Sequence, residues 1–253
     1  MRRLIFISTI ILFVNHSLSA QNGEHPQLEK FNEFLGEERA LVLQDAVDCF
    51  DQFLTNNYPD SKNQTQRITS FLEQIADHNE PDNSWVFDHD CNQKIIESFE
   101  STGLRKEIWL YGHEEYESEH DFSEVLPPPL PTDTVDIKDL GELNLDLIEE
   151  EIIPIGNIDR EDQSKMQKEQ EERIKNSLNP NGEGDYIFAL LKYSHQESFA
   201  YEYALVVRDE NRISLGVLAG GFLYGSPDYE DPFVRRLLVT EFYYWLINLK
   251  GKN

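Results

Sequence analysis

Residues 113–121, HEEYESEHD, place five carboxylates and two histidines within nine positions. If the stretch is helical, His113, Glu117 and Asp121 follow at intervals of four, so neighbouring pairs could share a metal ion. His113 and His120 are then two turns apart, about 10.5 Å along the helix axis. One zinc ion can hardly reach both rings. Glu117 also stands where the zinc hydrolase pattern HExxH requires its second histidine.

A second group of metal-binding residue types lies in 77–90, DHNEPDNSWVFDHD, which contains His78 and His89. Pro81 predicts a loop there. Oxygen ligands dominate the first stretch and suit calcium, but the spacing and central glycine of an EF-hand loop are missing there, and no motif orders the ligands of the second stretch. We expect that the chain holds no cofactor and that these acidic residues form a solvated surface. The alternative is calcium or zinc held by residues drawn from His113, Glu117, Asp121, His78 and His89.

The first twenty residues have the three parts of a secretory signal peptide. Arg2 and Arg3 are basic, 4–14 is largely apolar, and 18–20 (LSA) fits a signal-peptidase site. We predict an exported mature chain that begins near Gln21, resides in the periplasm or outside the cell, and has no stable membrane insertion after cleavage. A single N-terminal anchor is the alternative. A second apolar run, at 213–225, has thirteen residues with four glycines and suits a core element.

The chain is strongly acidic. It contains 22 Lys and Arg residues and 48 Asp and Glu residues, so its formal net charge is −26. Signal cleavage removes Arg2 and Arg3 and no acid, leaving 20 basic and 48 acidic side chains, a net charge of −28. Nucleic-acid binding is excluded as a class, since phosphate contacts need clusters of Lys and Arg. The charge suits cationic partners, divalent cations or plain solubility.

Cys49 and Cys91 are the two cysteines of the chain. An exported protein meets an oxidising compartment, in which a disulfide persists. Closing a loop of about 42 residues would stabilise the fold by roughly 4 kcal/mol in the loop-entropy model. The alternative is two separate buried thiols, because Cys49 lies on the apolar face of a predicted helix.

The spacing of apolar residues predicts amphipathic helices in the N-terminal half. Tyr58-Pro59 should end the first of them. Because apolar faces must cover one another, a small helical bundle is the natural arrangement. The segment 104–111, LRKEIWLY, fits a helix or a strand equally well. The three apolar faces comprise Leu43, Ala46, Val47, Phe50, Phe53 and Leu54; Ile68, Phe71, Leu72 and Ile75; and Ile95, Ile96 and Phe99.

A proline-rich segment, 126–134 (LPPPLPTDT), favours an extended polyproline linker. A surface loop within one domain is the alternative. We predict a signal peptide at 1–20, an N-terminal helical region at 21–125, the linker at 126–134 and a C-terminal mainly helical region at 135–253. The fold class is therefore mainly α, with bundle-like halves joined by the linker.

Two features of the C-terminal region bear on this fold. Residues 203–218 can form a short β-hairpin around RDEN, but helical spacing and helix-forming residues make helix our preferred prediction. The last helix should begin with Asp231 as N-cap and Pro232 at its first position.

Aromatic residues crowd the same region, and Tyr243, Tyr244 and Trp245 are consecutive. Three consecutive side chains cannot all face one side of a helix. We therefore consider Tyr243 or Tyr244 as part of an exposed surface for a protein or a sugar. The alternative is that a second layer of the core covers them.

No catalytic residue is singled out by a recognised pattern. The nucleophile elbow, the phosphate-binding loop and the dinucleotide fingerprint are all missing from the sequence. Our first hypothesis is accordingly a non-enzymatic exported protein that binds a protein or glycan of the cell envelope. The others are an exported metal-dependent hydrolase and a carbohydrate-binding module that uses the C-terminal aromatics.

Overall fold

The structure, a computed structural model, describes residues 25–77, 91–127, 168, 172, 174–209 and 213–249. These residues are mainly helical and include one two-stranded antiparallel sheet, which confirms the predicted fold class. None of the helices in this part of the chain is long and apolar enough to cross a membrane. The predicted signal peptide, most of the predicted linker and the segment 78–90 lie outside the described residues.

The N-terminal helices follow the predicted apolar spacing. They are α1 (Pro26–Leu35), α2 (Glu37–Asn57), α3 (Gln64–Asp77), α4 (Asn92–Ser101) and α5 (Leu104–Ile108). Gly36 alone separates α1 from α2, and its φ of 88° lies in the left-handed region that side chains rarely adopt. Gly103, with φ 73°, makes the same kind of break before α5. Helix α2 ends before Tyr58-Pro59, as predicted.

The C-terminal part contains α6 (Asp185–Tyr193), α7 (Phe199–Asp209) and α8 (Leu215–Gly225). A longer helix follows, made of α9 (Pro232–Leu238), a π-helical turn (Val239–Tyr244) and α10 (Trp245–Leu249). We call these residues, 232–249, the central helix. Asp231 caps it by accepting hydrogen bonds from the backbone N–H groups of Phe233 and Val234. The predicted start of this helix is thus confirmed.

Residues 203–209 and 215–218 belong to α7 and α8, so the chain is helical on both sides of 210–212 and forms no hairpin in the described part of 203–218. The Ser214 side chain caps α8 by accepting from the Val217 N–H. The sheet lies elsewhere: β1 (Trp109–Tyr111) pairs antiparallel with β2 (Leu178–Pro180). The segment 104–111 is therefore both a helix and a strand, since β1 follows directly on α5.

Elements from both sides of the predicted linker share one hydrophobic core. Helix α1 packs against α6, α3 packs against α8, and α2 packs against the π-helical turn of the central helix. The boundaries of the predicted regions stay a prediction. The two helical regions contact each other through these helix pairs, and the central helix lies between them.

Candidate functional site

The HEEYESEHD stretch is extended rather than helical, and it runs from β1 to a short 3₁₀ turn at Phe122–Glu124. We call residues 112–121 the strap. Adjacent side chains of an extended chain point to opposite sides, and burial in the strap alternates accordingly. The partly buried positions are Glu114, Tyr116, Ser118 and His120, and the exposed ones are Gly112, His113, Glu115, Glu117, Glu119 and Asp121.

Glu114 anchors the start of the strap to Arg105, whose residue surface is only 3% exposed. The distance from Arg105 Nη2 to Glu114 Oε1 is 2.8 Å, and Arg105 also pairs with Glu100 (Nε to Oε1, 3.1 Å). Burial alone would raise the pKa of Glu114. The hydrogen bonds from Arg105 and from the backbone N–H of Tyr111 outweigh burial, so the pKa of Glu114 is lowered.

Tyr116 anchors the middle of the strap. Its hydroxyl donates to Glu107 Oε2 at 2.5 Å, and burial followed by this carboxylate raises the pKa of Tyr116. Glu107 also accepts from the backbone N–H of Asp185 at 3.0 Å and pairs with Arg39 (Nη2 to Oε1, 3.1 Å). Each buried acceptor of this group is therefore matched by a donor, as expected for a structural polar network.

His120 anchors the end of the strap. Its Nε2 lies 3.2 Å from Asp185 Oδ1, and its ring stacks on Phe188 with 4.5 Å between centroids. A histidine oriented by a carboxylate is also part of a nucleophilic triad. Within the described residues, however, no serine, threonine or cysteine side chain hydrogen-bonds to the His120 ring. The pair holds the strap in place.

The extended conformation removes the helical spacing on which the metal hypothesis depended. His113 Nδ1 bonds to the Lys175 carbonyl oxygen at 2.9 Å, Glu117 is exposed, and Asp121 caps the 3₁₀ turn through the Ser123 N–H. Across the described ranges, no group of three or more His, Cys, Asp or Glu residues is arranged to hold a metal ion. His78 and His89 lie outside those ranges.

The sulfur atoms of Cys49 and Cys91 are at disulfide distance, with 6.3 Å between the two Cα atoms. This bond joins α2 to the start of α4 across 42 residues. Of the two alternatives open from the sequence, the structure has the disulfide.

Tyr243 and Tyr244 are both 0% exposed, so the surface proposed for them is not formed in the structure. The π-helical turn is enclosed on several sides, and consecutive rings contact different neighbours. Phe242 meets Phe222 of α8 at 5.3 Å, Tyr243 meets Phe53 of α2 at 5.2 Å, and Tyr244 stacks on Phe99 of α4 at 4.2 Å. The covering layer considered as the alternative accounts for Tyr243 and Tyr244, whereas Trp245 is only partly buried.

The same turn carries a buried polar cluster that the sequence did not reveal. Thr240 and Tyr203 hydrogen-bond to the Glu241 carboxylate, and burial raises the pKa of Glu241 to about 7. Arg236 is buried nearby over the Phe31 ring, and its Nη1 finds no hydrogen-bond partner among the described residues. Burial lowers the pKa of Arg236 to about 10. Tyr203, Arg236, Thr240 and Glu241 are each at most 6% exposed, so the cluster lies within the core.

A depression of about 520 Å³ lies between α1 and the turn that follows α6. Gln27, Lys30, Lys192 and His195 contribute to its lining, and all four are exposed. Such a wide, shallow surface does not enclose a small molecule, so we do not assign a ligand to it.

Helix α8 presents an apolar face to solvent. Ala219 and Phe222 are buried on one side of the helix, whereas Val217 is 65% and Tyr224 79% exposed on the other. Val217, Gly220, Gly221 and Tyr224 follow the i, i+3, i+4, i+7 spacing of a single stripe, which we call the α8 face. The sequence predicted residues 213–225 to be a core element, but only one side of the helix is buried in the core.

Comparison of the chain with protein-family models, with curated proteins and with solved structures gives no match. The candidate surfaces are therefore compared only by the contacts and the exposure of their side chains. The buried and partly buried carboxylates Glu107, Glu114 and Glu241 have hydrogen-bonded partners within the chain, whereas large apolar side chains on the α8 face meet solvent. Exposed apolar residues that form a stripe are typical of interaction sites.

Proposed function

We propose that the chain is an exported, non-enzymatic interaction protein of the cell envelope that binds a partner protein through the α8 face. One observation carries this proposal: Val217 and Tyr224 stand exposed on one stripe of a helix in a very acidic chain. Residues 213–227 contain no charged residue, although 28% of all residues are charged. Covering such a stripe removes apolar area from water, which favours binding by roughly 25 cal/mol per Å².

Export is supported by the sequence of residues 1–20, with its two arginines, apolar run and cleavage motif. N-terminal sequencing of the protein recovered from its native cell tests this part. A mature chain that begins near Gln21 is expected. A chain that retains the arginines at positions 2 and 3 would contradict export by cleavage.

The interaction is tested by site-specific photo-crosslinking in living cells. A crosslinking amino acid replaces Val217 in one variant and Leu41 of α2 in the matched control, since Leu41 is 61% exposed on another helix. We expect a discrete crosslinked species from position 217 and none of that size from position 41. The species should disappear when Gly220→Leu and Gly221→Leu fill the α8 face. Identical products from both positions would contradict the proposal.

A further inference from the structure

The α8 face is shaped like a shallow saddle. Val217 and Tyr224 stand at its two ends, and Gly220 and Gly221 between them have no side chains. The closest approach of two helices depends on the side chains at their contact. A second helix can therefore come unusually near the backbone of α8 if it crosses between Val217 and Tyr224, over the two glycines.

No contact within the described part of the chain requires glycine at these two positions. Neither has a positive φ, and a Cβ atom added at either position meets no atom of the described chain within 4 Å. Each glycine inside a helix costs about 1 kcal/mol relative to alanine. A partner that must approach the backbone closely explains glycine at positions where alanine would fit the protein better.

The size of the α8 face argues for a short segment as the occupant. Helix α8 has eleven residues, or about 16 Å of length at 1.5 Å per residue. A stable complex between two globular chains needs roughly 800 Å² from each partner, and one side of three helical turns supplies only part of this. One helix laid across the face matches its dimensions.

The charge of the chain argues for a basic segment. Two copies of this chain would each bring a net charge of −26 and repel one another, whereas a cationic partner is attracted. The neighbouring charges agree with this. The elements that pack against α8 or follow it carry exposed Glu73, Asp77, Asp228 and Glu230, against two half-buried arginines, Arg67 and Arg235, so their charge is acidic overall.

We propose that the α8 face binds a single amphipathic helix of a partner protein, which crosses over Gly220 and Gly221 and flanks its apolar stripe with lysine or arginine. This inference rests on the proposed function and adds the chemistry of the partner. Apolar contacts with Val217 and Tyr224 supply affinity, while the acidic surroundings select basic helices over acidic ones.

The test uses three labelled synthetic peptides of roughly 18 residues. The first places leucines on one side of a helix and lysines elsewhere. The second permutes the same residues so that the leucines no longer line one side. The third replaces every lysine of the first by glutamate. Fluorescence anisotropy measures their binding to the wild-type protein at about 150 mM salt, where long-range attraction is largely screened.

The decisive protein variant is Gly220→Leu combined with Gly221→Leu. It changes no charge, so non-specific attraction of a cationic peptide is the same as in the wild type. Thermal melting verifies that the variant is folded. We expect the first peptide to bind wild type at least about tenfold more tightly than it binds the variant. It should also bind wild type more tightly than the other two peptides do.

Equal binding of the first peptide to wild type and variant would overturn the inference, as would equal binding of the permuted peptide. Preference for the glutamate peptide would overturn the inference that the partner helix is basic. The crosslink from position 217 would in that case still support the proposed function. A dimer of the wild type that the variant lacks would identify a second copy as occupant. Binding to phosphatidylcholine vesicles that the variant loses would identify a membrane. Either result would overturn the inference.

Discussion

The Tyr243 hydroxyl of the central helix donates a 2.6 Å hydrogen bond to the side-chain oxygen of Asn92, the residue after the disulfide-bonded Cys91. The same hydroxyl lies 3.5 Å from the sulfur of Cys49. One buried tyrosine thus links α2, α4 and the central helix at the disulfide. Because Tyr243 is buried where these three helices meet, its ring contributes to the fold rather than to a binding surface.

Reduction of the disulfide should destabilise the protein. The bond closes a loop of 42 residues, and the loop-entropy model gives roughly 4 kcal/mol for a loop of that length. We expect dithiothreitol to lower the melting temperature of the wild type clearly. The matched control is Cys91→Ser, which has no disulfide to lose. A reductant effect of equal size on both proteins would show that another process is responsible.

Glu241 should make stability depend on pH between about 4.5 and 7. Burial raises its pKa from 4.5 to about 7, so the folded state holds the proton more tightly than the unfolded state does. Its contribution is complete below the unfolded pKa and is lost as pH rises through the folded pKa, roughly 3 kcal/mol in all. Glu241→Gln should therefore stabilise the protein at pH 8 and change little at pH 4.5.

Chemical denaturation at several pH values measures this effect. Glu117→Gln, at an exposed strap position, is the control and should leave the profile unchanged. A profile for Glu241→Gln that keeps the full slope of the wild type between pH 4.5 and 7 would contradict the assignment.

Alternate residues of the strap should respond differently to substitution. Glu114→Gln weakens the pair with the buried Arg105 and should cost about 1–3 kcal/mol, because a charged hydrogen bond is lost in a partly buried place. Glu115→Gln, one residue further on and exposed, should stay within about 0.5 kcal/mol. Urea denaturation compares the two variants.

The Glu114 effect also has a direction in pH. Its lowered pKa means that the pairing stabilises the protein above the unfolded pKa and is lost as pH falls through the folded pKa. The gap between wild type and Glu114→Gln should therefore close in acid. Equal losses of stability in Glu114→Gln and Glu115→Gln would rule out alternating burial along the strap.

Alanine at Gly220 or Gly221 should stabilise the protein by about 1 kcal/mol each, since alanine is the better helix former and has room there. Gly184→Ala is the contrasting variant, because its Cβ would collide with the Glu107 carbonyl oxygen. It should lower the melting temperature, whereas the α8 variants raise it. Destabilisation by Gly220→Ala would mean that α8 packs more tightly than described.

Calcium and zinc should not stabilise the protein through the strap. His113, Glu117 and Asp121 are exposed and have no common centre in the extended conformation. Thermal melts with EDTA, calcium or zinc compare the wild type with His113→Ala plus Glu117→Gln. Any shift caused by a metal ion should be the same in both proteins, since ligand binding raises stability only where a site exists. A shift that the double variant abolishes would restore the metal hypothesis.

Local features of this fold were predictable from the sequence because neighbouring residues specify them. The Asp231-Pro232 start of the central helix, the end of α2 at Tyr58-Pro59 and the apolar faces of α2, α3 and α4 all depend on residues within one or two turns. The mainly α fold class followed from these elements. The disulfide was one of two alternatives, because no local pattern reports the distance between Cys49 and Cys91.

Features that depend on distant residues were not predictable. The strap alternates burial with a period of two, but polar residues occupy both of its sides, so hydrophobicity could not reveal the period. Arg39, Glu107 and Asp185 meet only in the folded chain. Burial of Tyr243 and Tyr244 required knowing that helices enclose the central helix on several sides. The α8 face was visible in sequence only as an uncharged run, which suits a core element equally well.

The position of the central helix also bears on how the protein acquires its structure during synthesis. Residues 232–249 follow every other described element in the chain, yet α2, α4 and α8 pack around them. A polypeptide that emerges with its N-terminus first therefore lacks the middle of its core until this last segment appears. The helices made earlier would expose apolar faces during that interval, and such transiently exposed surface is prone to aggregation.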